Sequence, residues 1–76
     1  MNSFYRNQLV KINPDVIPDL ISNGYLSKQF DPNTVGVLDT PQIPDSSFRW
    51  AFVCTELNIR IGVEEYEIAP AISLNR

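Results

Sequence analysis

The stretch that decides the architecture is Phe48-Arg49-Trp50-Ala51-Phe52-Val53-Cys54-Thr55, followed by Glu56-Leu57-Asn58 and then Ile59-Arg60-Ile61-Gly62-Val63. Successive residues of a strand point to opposite faces, so a run that is apolar at both parities is covered on both sides. Phe48 to Cys54 is such a run, which places this strand in the interior of a sheet. Asn58 tolerates a left-handed backbone, so Glu56–Asn58 reads as a tight reversal. Ile59, Ile61 and Val63, alternating with Arg60 and Gly62, then form a fourth strand pairing back on the third.

Working outward, Thr34-Val35-Gly36-Val37-Leu38 reads as the second strand, with Gly36 marking a bulge or a close backbone approach. A loop with Pro41 and Pro44 runs from Asp39 to Ser47. Upstream, Asp31-Pro32-Asn33 is a turn signal, and Asn13–Asn33 is a long loop apolar enough to pack. Proline fits only the first turn of a helix, so Pro18–Asn23 is expected to form a short helix ended by a left-handed Gly24. Leu20 and Ile21 would then plug one end of the core. The first strand spans Phe4 to Ile12, stopped by Asn13-Pro14. Beyond the fourth strand, Glu64-Glu65-Tyr66 forms a single turn and Glu67-Ile68-Ala69 a last strand ended by Pro70. Ile72 and Leu74 would order part of the tail Ala71–Arg76.

Five short strands, a long first loop, a tight hairpin between strands three and four and one turn before the last strand resemble an SH3-like barrel over residues 4–70. Trp50 stands near the start of the third strand. Val63-Glu64-Glu65-Tyr66 stands where SH3 domains carry a short 3-10 turn ending in tyrosine. The resemblance implies a mainly β, five-stranded SH3-like barrel, with one helical turn in the first loop and a 3-10 turn before the last strand. The 76 residues form one domain on this reading, with 71–76 as a tail. In peptide-binding SH3 domains a tryptophan and a tyrosine at these places line a groove for proline-rich ligands. The acidic and aromatic signature of the first loop is missing here, and Val63 stands in place of the groove proline. The resemblance therefore implies the architecture more than the ligand.

Six basic residues face nine acidic ones, a net charge of −3. Arg6, Lys11 and Lys28 against Asp15 and Asp19 give +1 over residues 1–28. Three arginines against seven acids give −4 over the rest. No basic run exists to neutralise phosphates or meet an anionic bilayer, so nucleic-acid binding and membrane binding are disfavoured. Histidine is absent, which removes the commonest general base and most zinc sites. The single cysteine, Cys54, excludes an internal disulfide and reads as a buried thiol. Glu64, Glu65 and Glu67, like Asp15 and Asp19, read as solvated turns rather than a metal site or an acid–base pair. No glycine-rich phosphate loop, apolar leader or membrane-length segment occurs. The expectation is a chain with no catalytic residues, no cofactor and no metal, located in the cytoplasm.

Trp50 admits two readings. If Cys54 faces the core, Phe48, Trp50 and Phe52 face it too; if Ala51 and Val53 face inward, the three aromatics form a partner surface. The core reading is preferred, because strand aromatics usually pack inward. A partner site is expected on the surface joining the long first loop to the turn before the last strand, with Tyr25, Trp50 and Tyr66 as anchors. The favoured function is a non-enzymatic protein-interaction or structural module. It would serve as a small subunit or accessory protein of a larger assembly, and its composition parallels that of viral structural accessory proteins. The alternatives are a nucleic-acid-associated barrel and, after it, a small enzyme or metal-binding protein.

Overall fold

The computed structural model describes residues 4–41 and 48–71. Five antiparallel strands form one sheet: β1 (Leu9–Ile12), β2 (Gly36–Asp39), β3 (Trp50–Cys54), β4 (Ile59–Val63) and β5 (Ile68–Pro70), in the order β4-β3-β2-β1-β5. The protein is mainly β. The sheet is open, because β4 and β5 occupy its two edges and do not pair with each other. Strand β3 is interior, as its two-sided apolar pattern predicts.

Register assigns the faces. Ile12 opposes Ile68, Leu38 opposes Phe52, Cys54 opposes Ile59 and Trp50 opposes Val63. These side chains share the inner face, and Val10, Ile12, Leu38, Phe52 and Val63 are fully buried there. Ile17, Leu20 and Leu26 from the long first connection close over that face and complete the core.

Helix α1 (Ile17–Ser22) is preceded by a 3-10 turn at Pro14–Val16, which the loop reading of this segment did not include. Pro18 sits in the first turn, where its missing N–H costs nothing. Ile17 and Leu20, three apart on one face, are buried, while Ile21 packs partly against the core. The helix ends in a Schellman motif. The Gly24 N–H donates to Ile21 O at 3.0 Å, and the Tyr25 N–H donates to Leu20 O at 2.8 Å. Gly24 takes φ 83°, the left-handed conformation this closure requires.

Several boundaries differ from the sequence reading. The first strand begins at Leu9, not Phe4, because the chain turns at Arg6-Asn7, with Asn7 at φ 72°. Strand β2 begins at Gly36 instead of Thr34. Gly36 is a close approach: a Cβ there would lie 2.6 Å from Phe52 Cζ and 2.7 Å from Val53 O. The reversal before β4 is a 3-10 turn at Thr55–Leu57, closed by Asn58 at φ 58°.

The face of the aromatics also resolves. Phe52 is fully buried and Cys54 is 6% exposed on the inner face. Trp50 shares that face and is half-buried against the core. Phe48 does not follow them. It precedes β3, so the two-residue alternation does not reach it, and its ring covers Gly62 on the outer face, where an added Cβ would lie 2.5 Å from its Cδ2. Proposed tail anchors Ile72 and Leu74, and most of the Asp39–Ser47 loop, lie outside the described residues.

Candidate functional site

Tyr66 is carried by a 3-10 turn, Glu65–Glu67, that joins β4 to β5. The turn is locked at its start by a capping box. The Glu64 N–H donates to Glu67 Oε1 at 2.8 Å, and the Glu64 carboxylate accepts the Glu67 backbone N–H. This explains two of the three acids in the cluster as local capping groups. Asn13 fastens the same turn from the far side of the chain. Its Nδ2 donates to Tyr66 O at 2.7 Å, and its backbone N–H donates to Glu67 O at 2.9 Å. On the other flank the Trp50 indole Nε1 donates to Glu65 Oε2 at 3.5 Å, a long contact. Backbone and neighbours are thus held while the Tyr66 side chain projects, with the residue 72% exposed.

Tyr25 is presented differently. The Schellman closure that fixes its N–H turns it away from the helix, and it is 55% exposed. It borders a groove of about 350 Å³ with an apolar wall of Leu26, Phe30, Leu57 and Ile59. Leu57, from the β3–β4 reversal, is 54% exposed. Neither Trp50 nor Tyr66 contributes to this groove.

The three anchors are therefore not one patch. Trp50 opposes Val63 at one end of the β3–β4 hairpin, and Cys54 opposes Ile59 at the other. The two ends are four residue steps apart along β3, about 13 Å. Trp50 and Tyr66 belong together at the first end, linked through Glu65, while Tyr25 belongs with Leu57 and Ile59 at the second. The sequence reading missed Leu57, Phe30 and Ile59. The available signal was an apolar Leu57 between Glu56 and Asn58, in a reversal where burial is not expected.

The outer face carries a separate charged cluster. Asp39 on β2 reaches Arg6 Nε at 3.1 Å and Arg60 Nη1 of β4 at 3.2 Å. The Arg60 side chain also donates from Nη2 to Thr40 O at 3.1 Å. The bridge spans β3 because Ala51, opposite both Asp39 and Gly62, presents only a methyl group there. The Thr40 backbone N–H and the two guanidinium groups hold the Asp39 carboxyl below its ordinary value of 3.8. Among the described residues, no group of three or more His, Cys, Asp or Glu is placed to hold a metal ion. No helix among them is long and apolar enough to cross a membrane.

Comparison with known proteins gave no match: no family model, curated protein or solved structure is significantly similar to this chain.

Proposed function

We propose that this chain is a small SH3-like module that works by holding a protein partner, as an accessory or subunit of a larger assembly, and carries out no reaction itself. The observation that supports this reading is the exposure of Tyr66 and Tyr25 on turns whose backbones are fixed by hydrogen bonds. A rigidly mounted tyrosine offers a large contact area at low entropic cost, which is why such residues anchor interfaces. Half-buried Trp50 beside Tyr66 extends the apolar area at that end. Glu65 and Glu67 flank Tyr66, so a partner bearing arginine or lysine fits this rim, with the charges acting mainly on association rate. The SH3-like reading draws on the strand order of the open sheet, with β1 between β2 and β5, and on the 3-10 turn leading into β5.

The test is affinity capture with the tagged chain and with a Tyr25→Ala/Tyr66→Ala variant. Both rings are exposed, so the variant should melt close to the parent while capturing less partner. Unfolding of the variant, with lost capture merely following, would show that the tyrosines are structural. Absence of any stoichiometric partner for the parent chain would end the module reading itself.

A further inference from the structure

We infer that the Tyr25 groove receives an apolar side chain of a protein partner that carries an arginine or lysine directly beside it. The inference rests on the module reading and adds to it a second contact of stated chemistry, away from Trp50 and Tyr66. The groove, about 350 Å³, has the size of a small binding site. Its wall includes two large side chains left mostly in water, Tyr25 and Leu57, whose covering by an apolar group is favourable.

The charge at its mouth selects the neighbour. Asp31 is the one ionised side chain among the described residues that line the groove. It is held in place locally, because its Oδ1 accepts the Asn33 N–H at 2.9 Å and its carbonyl accepts the Thr34 N–H at 2.9 Å. Glu56, next to Leu57 in the chain, is exposed and does not line the groove. Lys28 is the adjacent cation; it is exposed and does not line the groove. A second copy of this chain fits poorly: it brings a net charge of −3 toward the Asp31 carboxylate, and of its own aromatic–arginine pairs, Phe48-Arg49 and Tyr5-Arg6, Phe48 is used to cover Gly62 and Arg6 to pair with Asp39. A cation next to the inserted apolar group fits, and a carboxylate there is repelled.

The isotope-labelled chain is titrated with two capped dipeptides, N-acetyl-Phe-Arg-amide and N-acetyl-Phe-Glu-amide, and backbone amide shifts are followed. The arginine dipeptide should shift the amides of Ser27, Gln29, Asp31 and Leu57 and bind more tightly than its glutamate counterpart. Asp31→Asn keeps the turn acceptor and should reduce that preference about two- to fivefold, the range of a rim ion pair. Tyr66→Ala should leave the titration unchanged. Equal binding of the two dipeptides, shifts confined to Trp50 and Tyr66, or no shift at all would each overturn the inference. A module that captures its partner through Tyr66 alone would survive such a failure, so the two proposals are separable.

Discussion

A methyl group at Gly36 is the smallest change that probes how tightly the inner face is packed. Gly36 is buried on β2, opposite Val10, and the Phe52 ring lies across it. A Cβ would meet Phe52 Cζ at 2.6 Å, Phe52 Cε1 at 2.7 Å and the Val53 carbonyl oxygen at 2.7 Å. Two of these atoms belong to a fully buried ring and one to the backbone of a paired strand, so none can yield cheaply. Replacing glycine by alanine normally gains about 0.4–1 kcal/mol by restricting the unfolded chain. Overpacking of a dense core costs about 1–3 kcal/mol, and more where backbone must shift. The clash wins, and Gly36→Ala should lose about 2 kcal/mol net. A chain of this size has a total stability on the order of 4–11 kcal/mol. The melting temperature should therefore fall by about 10 °C, read from circular dichroism or from urea unfolding at unchanged slope. Phe52→Leu in the same chain should restore part of the loss, because it removes the ring but not the Val53 carbonyl. A Gly36→Ala protein as stable as the parent would refute the close approach and the inner-face assignment of Phe52.

Cys54, nearly inaccessible beneath the first connection, should react with Ellman's reagent far more slowly in the native state than in denaturant; equal rates would place it on the surface. Asn13→Ala removes the side-chain donor that ties Tyr66 O to the first loop and should cost about 0.5–1.5 kcal/mol in urea unfolding. An unchanged midpoint would mean that water replaces the bond at no loss. Asp39 has a folded-state pKa below its unfolded value, so its contribution is present above that unfolded value and is lost as pH falls through the folded one. The melting temperatures of parent and Asp39→Asn should therefore differ near neutrality and converge as the solution is acidified below 3.8. Divergence on acidification would contradict the lowered pKa, and added salt should shrink the neutral-pH difference.

Local chemistry alone determined much of this protein. Proline at the start of α1, Gly24 after it and Asn58 at the hairpin each permit few backbone conformations, so the helix, its closure and the β3–β4 reversal were legible in the residues themselves. Alternation placed Phe52 and Cys54 together, and the two-sided apolar pattern put β3 inside the sheet. Tertiary structure decided what depends on contacts between distant residues. Strand β1 starts late because Asn7 turns the chain and donates to Leu38 O, a pairing no local pattern announces. Phe48 lies on the face opposite Phe52 because Gly62, fourteen residues away, leaves room for its ring. Asp39, Arg6 and Arg60 meet only because register sets β2 and β4 on either side of a small Ala51. Long-range packing also divides the expected binding surface. Tyr25, Trp50 and Tyr66 are alike in sequence as aromatic residues near turns, but the first connection packs Tyr25 beside Leu57 and Ile59 at one end of the hairpin, while Trp50 and Tyr66 lie at its opposite end. Residue type fixes what each side chain can do; only long-range pairing fixes which of them can do it together.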